Sequence, residues 1–207
     1  MSVFAGQDPA LPAEKATIAL LPDAARAVTA VVEAIGPTAW AAPSPCQGWS
    51  VRDVLNHLVA EHRWAPRLLA GESLAQVGDA YDGDVLGVDP VAAWRRAMPL
   101  SLLAWAQADP TGQVHSSMGP LGVGEYAHQM LLDLTVHGWD LATGAGVAYR
   151  PVADAIEDGI AYEQPLVQAG QKTAIFAAPT GYRGPDRLGV LLALTGRDPA
   201  RAPGSPR

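Results

Sequence analysis

Polar residues four positions apart occur on two predicted helices and could together bind a divalent metal ion. His57 and Glu61 form one pair, and Asp133 and His137 form the other. Since a helix turns by about 100° per residue, the members of each pair lie on one face. Two imidazoles and a carboxylate suit zinc or a similar cation, with a coordination position left for water or substrate. The same spacing also occurs in solvated ion pairs on helix surfaces, so spacing alone leaves both interpretations open.

Both pairs border the apolar stripe of their helix. We take Leu58 and Leu134 as the centres of the two stripes and measure angles about the helix axis from them. The first member of each pair then lies at about −100° and the second at about −60°. Two such faces turned toward each other would enclose a polar site walled by apolar and aromatic groups. Glu61 could be a ligand, a general base or a salt-bridge partner of Arg63 or Arg67, and we favour a role in the site as proton acceptor.

The remaining histidines, the cysteine and the tryptophans have simpler interpretations. His62 falls within the apolar stripe and is expected to be a hydrogen-bonded core residue. His115 lies in a predicted loop and is a weaker candidate for a fourth ligand. Cys46 is expected to be structural, and a lone cysteine excludes an internal disulfide or a Cys-rich metal site. Trp49 and Trp139 are expected to anchor the core rather than to contact substrate.

Apolar residues recur at helical spacing over most of the chain. This spacing predicts four longer helices and two shorter ones. The predicted spans are 16–35, 51–71, 90–108, 123–144, 152–169 and 186–195. Ser50 and Asp53 have the spacing of a capping box at the start of the second helix, whereas Pro66 predicts a kink or a break within it. The polar residues 72–89 predict a loop long enough to cover part of a cleft, and residues 109–121 predict a second loop.

The number and length of these helices indicate the fold class. Four long amphipathic helices with no comparable run of alternating strands predict an all-α four-helix bundle with additional short C-terminal helices. The bundle forms a single domain over residues 16–198, preceded by a loose segment at 1–15 and followed by a disordered tail at 199–207. The inner face of such a bundle is a usual place for a metal site.

Composition narrows the range of partners. Hydrophobic residues make up 49% of the chain and charged residues 17%, which is typical of a folded, soluble protein. No apolar stretch approaches the roughly 20 residues that cross a bilayer, and the first residues do not resemble a signal peptide, which favours the cytoplasm. A net charge of −7 disfavours nucleic-acid binding. We therefore expect a small-molecule substrate, no nucleic acid and no membrane as partners, and the sequence leaves open whether the chain forms a homodimer.

Three blocks of sequence resemble a known family. They are PCQGWSVRDVLNHL at 45–58, DLTVHGWDLA at 133–142, and a C-terminal block made of DRL at 186–188 and GRDP at 196–199. In order and spacing these blocks are similar to those of actinobacterial DinB-like metal-binding proteins, which are related to the N-terminal domain of mycothiol-dependent maleylpyruvate isomerase. The resemblance extends over about residues 16–199.

This resemblance implies a DinB-like four-helix bundle that binds a divalent cation, usually zinc, through His57, Asp133 and His137. It also implies mycothiol, a low-molecular-weight thiol, as a co-substrate. Asp133 departs from the family because the isomerases have the longer glutamate there. The shorter side chain either reaches the cation through a shifted helix or accepts a hydrogen bond from a ligating histidine. A second departure concerns the residues after Gly144, which we expect to be too few and too helical to form the C-terminal domain of the isomerases.

Two functions from different classes are consistent with these residues. The first is an enzyme in which the metal ionises a thiol that adds to an electrophilic carbon, in a transferase or isomerase reaction. Glu61 would then accept a proton, and residues 72–89 would form part of a lid. The second is a protein that holds a metal or small ligand without catalysis, with four protein ligands rather than three plus water. Hydrolysis by metal-activated water would use the same residues as the first function.

Overall fold

Helices dominate the computed structural model of this 207-residue chain, which describes residues 13–116, 119–170 and 176–200. In chain order the α-helices are α1 (Ala13–Ala34), α2 (Val51–Leu69), α3 (Leu74–Val77), α4 (Pro90–Gln107), α5 (Val123–Ala145), α6 (Ala153–Gln168) and α7 (Arg187–Leu194). The four long helices α1, α2, α4 and α5 pack against one another, which confirms the predicted helical bundle. No helix in the described ranges has both the length and the apolar character needed to span a membrane.

The core lies between the four long helices, and α5 is its central element. Helix α5 is buried on nearly all sides because it packs on α1, α2 and α6. Fully buried leucines, among them Leu55, Leu58, Leu131 and Leu134, fill the interior of the bundle. A second, smaller apolar cluster around Leu132 joins the opposite side of α5 to α6 and α7. The two predicted C-terminal helices are thus packed onto the bundle.

The start of helix α2 is fixed by the predicted capping box. The backbone N–H of Ser50 donates to Asp53 Oδ2 at 2.8 Å, and the backbone N–H of Asp53 donates to Ser50 Oγ at 3.2 Å. Helix α2 runs through Pro66 to Leu69, so the break considered there is wrong. A proline this close to the C-terminal end removes only the hydrogen bond to the carbonyl of His62, which the helix tolerates.

Two sequence-based boundaries need correction. The segment predicted as a loop over 109–121 contains a β-hairpin, in which β1 (Gln113–Ser116) pairs antiparallel with β2 (Gly119–Gly122). Strands of four residues are too short for alternation of polar and apolar side chains to distinguish them from a loop. Helix α1 begins at Ala13, so the loose N-terminal segment was assigned too many residues. The rest of that segment, 1–12, and most of the predicted tail, 201–207, lie outside the described residues.

The polar segment between α2 and α4 is held against the first half of α2. The Asn56 side-chain amide donates to the Gly83 carbonyl at 2.8 Å and its oxygen accepts from the Val85 N–H at 2.9 Å. The Arg52 guanidinium donates to Asp84 at 2.8 Å. This loop therefore lies beside the face of α2 that carries His57, and its role as a lid stays a prediction.

Candidate metal centre and its surroundings

Three of the predicted site residues meet between α2 and α5. His57 Nε2 lies 3.1 Å from Asp133 Oδ2, and His137 Nε2 lies 3.3 Å from Asp133 Oδ1. One ligand atom from each residue can be chosen so that all three atoms lie within 4.8 Å of one another. Within the described part of the chain this is the one group of three or more such residues that could hold an ion. Two imidazoles and a carboxylate converging in this way fit a divalent cation.

The close approach of α2 and α5 brings these residues together. The two helices are antiparallel, because Val51 at the start of α2 lies beside Gly144 near the end of α5, while His57 lies beside Asp133. A Cβ atom at position 144 would stand 2.7 Å from Val51 Cγ2, so glycine is required for this contact. The i, i+4 spacing of Asp133 and His137 then presents both side chains to His57.

A buried chain of polar contacts holds His137. Its Nδ1 atom lies 2.8 Å from Asp140 Oδ2, and Asp140 in turn accepts a 2.8 Å hydrogen bond from Arg197 Nη2. Asp140 is fully buried, and Arg197 is 7% exposed. A carboxylate on one ring nitrogen directs the other nitrogen, here Nε2, toward Asp133 and the shared position. The sequence patterns placed Asp140 and Arg197 in family motifs and gave them no role in the site.

The charges of the three residues depend on one another. Burial alone would raise the pKa of Asp133, but the adjacent His57 and His137 more than offset burial, and the pKa lies well below its usual value. Burial alone would lower the pKa of His137, but Asp133 and Asp140 raise it to about 9. Without a cation, the ionised Asp133 favours the protonated form of both imidazoles, and a bound cation would displace such protons.

Glu61 lies one turn beyond His57 on α2 and faces the same interior. Burial raises its pKa, while the charge of Asp133 raises it further and His57 lowers it. The arginines considered as its salt-bridge partners have other contacts: Arg67 pairs with Glu72, and Arg63 stacks on the Tyr81 ring at 4.6 Å. The location of Glu61 is thus compatible with the predicted role in the site, which remains a prediction.

Trp49 packs on the main core, as predicted, and it also contacts the two histidines of the cluster. Its ring lies 5.2 Å from the His57 ring and stacks on the His137 ring at 6.0 Å. A cavity of about 480 Å³ opens beside it, lined by Gly48, Trp49, Asp53, Asn56 and His57. The signal available in the sequence was the position of Trp49 immediately before the helix that carries His57. A tryptophan placed there can cover the first turns of that helix.

The other sequence-based assignments lie outside the cluster. His62 is a buried core histidine, as predicted, and its Nδ1 lies 2.8 Å from Ser101 Oγ. His115 is exposed on β1 and is not a member of the three-residue cluster. Cys46 precedes α2 and packs on the main core. Trp139 packs in the smaller apolar cluster with α6 and α7, in agreement with its predicted anchoring role.

Comparison with solved structures shows the same fold in two crystal structures of one kind of enzyme. The chain aligns with mycothiol-dependent maleylpyruvate isomerase at 15% identity and a TM-score of 0.61, and with a histidine-to-alanine mutant of such an isomerase at 14% and 0.64. Each alignment covers 95% of both chains. This coverage contradicts the expectation that the residues after Gly144 are too few to correspond to the C-terminal part of the isomerases. No curated protein matches the chain significantly.

The comparison with protein families is more direct. The model of the mycothiol maleylpyruvate isomerase N-terminal domain matches residues 21–142, which is more than half of the chain. This range contains α2 and nearly all of α5, and with them the three residues of the candidate metal centre. The chain therefore belongs to the family of the mycothiol maleylpyruvate isomerase N-terminal domain.

Proposed function

We propose that this protein is a divalent-metal enzyme that uses a low-molecular-weight thiol, mycothiol, as co-substrate in a transferase or isomerase reaction on a small electrophile. The observation that carries the proposal is the convergence of His57, Asp133 and His137 within 4.8 Å, next to a cavity of about 480 Å³. Membership of the isomerase family supports the choice of thiol. Family membership also supports an isomerase-like reaction, but it does not identify a particular substrate.

The proposed ligands are His57, Asp133 and His137. A divalent cation bound there, with zinc as the best match to this donor set, would lower the pKa of a thiol so that it is ionised near neutral pH. Asp140 and Arg197 keep the His137 ring in its orientation. Asp140 thus occupies the place of the supporting acceptor, which favours Asp133 as a direct ligand.

Glu61 is the proposed proton acceptor. It lies near the ligand set without a histidine or arginine bound to it in the described residues, and its raised pKa brings its protonation closer to neutral pH. In this proposal Glu61 takes the proton that the thiol or substrate loses during the reaction. Trp49 covers the two histidine rings and limits the access of water to them.

The ligand count favours catalysis over simple binding. Within the described ranges the cluster has three members, which matches a catalytic site with an open coordination position better than a closed structural site. A non-catalytic binding protein is therefore the second candidate. Hydrolysis by metal-activated water uses the same residues, and the response to a thiol distinguishes it from the proposed function.

Metal analysis tests the ligand assignment. We expect about one divalent ion per chain in the wild-type protein, and a loss of the ion in His57→Ala and His137→Ala with helix content retained, because both side chains flank the core. Asp133→Asn should weaken binding less, since the amide keeps one neutral oxygen but loses the charge. His115→Ala is the matched control and should keep the ion, because His115 lies outside the cluster. Full metal occupancy in both cluster variants would overturn the assignment.

Proton release tests the use of a thiol. Adding mycothiol to the metal-loaded protein near neutral pH should release about one proton per site, and the His137→Ala protein should release none. Cobalt-loaded protein should gain a new near-ultraviolet absorption band on the same addition. If fully metallated protein gives neither signal with several thiols, the thiol mechanism is wrong. Hydrolysis or simple binding would then become the leading function.

A further inference from the structure

Two buried donors next to the candidate site have no hydrogen-bond partner among the described residues. They are the Tyr126 hydroxyl, in a residue 5% exposed, and the Trp105 indole Nε1–H, in a residue 2% exposed. Buried polar groups in proteins are nearly always hydrogen-bonded, because leaving one unpaired is unfavourable. Two such donors are therefore more readily explained as parts of a binding site than as parts of the packed core.

The two donors are neighbours although they come from different helices. Trp105 lies near the end of α4 and Tyr126 in the first turn of α5, and their ring centroids are 5.1 Å apart with the planes inclined at 44°. A shared ligand atom could thus accept hydrogen bonds from both. This arrangement resembles other sites in which two fixed donors hold one oxygen.

The donor pair faces the interior that the metal cluster occupies. Tyr126 lies two helical turns from Asp133 on α5, on the same face. Burial raises the pKa of Tyr126, and the charges of Glu61 and Asp133 raise it further. Because α2 and α5 are antiparallel and His57 lies beside Asp133, Glu61, one turn later on α2, lies at a level between Asp133 and Tyr126.

The chemistry of the pair indicates what it binds. An indole N–H can only donate, and a tyrosine hydroxyl next to it can donate to the same atom, so the ligand must supply an acceptor. Glu61 and Asp133 contribute negative charge on this side of the site, which opposes a second carboxylate. A neutral carbonyl oxygen satisfies both conditions.

We propose that Tyr126 and Trp105 form a two-donor subsite for a carbonyl oxygen of the substrate, beyond Glu61 as seen from the metal cluster. The inference rests on the proposed function, since it adds two binding residues to that same site. It makes Tyr126 and Trp105 binding residues and requires no role for them in proton transfer.

The test uses the indole N–H signals in the nitrogen-proton correlation spectrum of the whole protein. The chain has 6 tryptophans, and Trp105→Phe identifies the signal of Trp105. The probes are acetone and acetate, which have nearly the same shape and differ in charge. We expect acetone to move the Trp105 signal in a saturable way, and acetate to have a smaller effect at the same concentration. Tyr126→Phe should weaken acetone binding by roughly fivefold, as expected for one lost neutral hydrogen bond.

Tyr149→Phe is the matched control, because the Tyr149 hydroxyl already donates to the Thr135 carbonyl at 3.1 Å. It should leave the acetone titration unchanged. An unmoved Trp105 signal with both probes, or equal acetone affinity in the Tyr126→Phe and wild-type proteins, would overturn the subsite. A response to acetate alone would overturn its assignment to a carbonyl. Neither thiol nor turnover enters this measurement, so its failure is distinguishable from a failure of metal binding or of thiol-dependent proton release.

Discussion

Asp133 and Asp140 have the same side chain on the same helix, yet their neighbours give them different tasks. Asp133 is shared by two imidazoles, with contacts of 3.1 Å to His57 and 3.3 Å to His137. Asp140 lies between His137 and Arg197 and is held by both. The first is therefore suited to bind a cation, and the second to fix the orientation of a histidine. For these two aspartates, the side chains that each one contacts matter more for its role than the residue type does.

Tyr126 allows a prediction about stability at this scale. Tyr126→Phe removes a buried hydroxyl that has no partner among the described residues, so the free energy of unfolding should rise by about 1 kcal/mol. Tyr149→Phe removes a hydroxyl that donates to a carbonyl, so it should lower the same quantity by about 1 kcal/mol. Urea unfolding of both variants checks the opposite signs. A loss of stability in Tyr126→Phe as large as that in Tyr149→Phe would mean that the Tyr126 hydroxyl is structurally bonded.

Contacts between helices operate at the next scale, and α2 and α4 are joined by a buried histidine. His62 Nδ1 on α2 lies 2.8 Å from Ser101 Oγ on α4. The same ring meets Trp94 edge-on, with centroids 5.9 Å apart and planes inclined at 86°. His62 is 1% exposed, so protonation would place a charge inside the contact between the two helices.

This contact predicts that stability falls in mild acid. Burial lowers the pKa of His62 from 6.5 to about 4, although the charge of Asp133 acts in the opposite direction. Because the pKa of His62 is lower in the folded than in the unfolded chain, burial of the neutral imidazole is tolerated fully only above pH 6.5. As the pH falls from 6.5 toward 4, the unfolded chain binds the proton first and the folded state loses stability. The free energy of unfolding, measured with urea, should decrease by about 2 kcal/mol between about pH 7 and pH 5.

His62→Leu tests the assignment of that decrease. The variant should be less stable at neutral pH, because Ser101 loses its partner, but it should lose most of the decrease toward pH 5. His115→Ala, at an exposed position on β1, should keep the wild-type decrease. The raised pKa values of His57 and His137 act mainly above pH 6.5. The raised pKa of Glu61 acts in the opposite direction within this window, but it does so in both proteins, so the difference between them isolates His62. An identical decrease in His62→Leu and wild type would assign the effect to other groups.

At the scale of the whole molecule, the C-terminal region supports the site in the bundle. Arg197 follows α7 and reaches Asp140 on α5, and its guanidinium also covers the Phe176 ring at 4.9 Å. Arg197 lies outside the range 21–142 that matches the family model. The segment after α6 therefore contributes to the orientation of His137, although its described residues, 176–200, supply no member of the cluster.

Removing Arg197 should be costly because it leaves Asp140 buried without its cationic partner. We expect Arg197→Met to lower the free energy of unfolding by about 3 to 5 kcal/mol. Adding Asp140→Asn to this variant should restore part of that loss, since the unpaired charge is gone, and the two effects should not add. Arg187→Met, which breaks an exposed ion pair with Glu157, is the control and should have a much smaller effect. Additive losses for Arg197 and Asp140 would mean that the two side chains are not coupled.

Local rules in the sequence predict the bundle helices and place His57, Asp133 and His137 on the helix faces that meet in the structure. Apolar residues three and four apart predict helices over nearly the spans observed, because helix geometry depends on neighbouring residues. The spacing of Asp133 and His137 places both on one face of α5 for the same reason. The β-hairpin escaped prediction because its four-residue strands depend on their pairing with each other rather than on a local pattern.

The residues that surround the cluster became apparent only in the folded chain. Arg197 and Asp140 are 57 positions apart, and no periodic pattern relates positions so distant in the chain. The position of Trp49 placed it beside the first turns of α2, but its contact with two histidine rings could not be predicted, because an aromatic side chain packs equally well against a leucine or beside a histidine. The helices, and the face that each presents to its neighbours, follow from local patterns in the sequence. The packing of those helices determined which polar groups meet, since burial and proximity are properties of the assembled bundle.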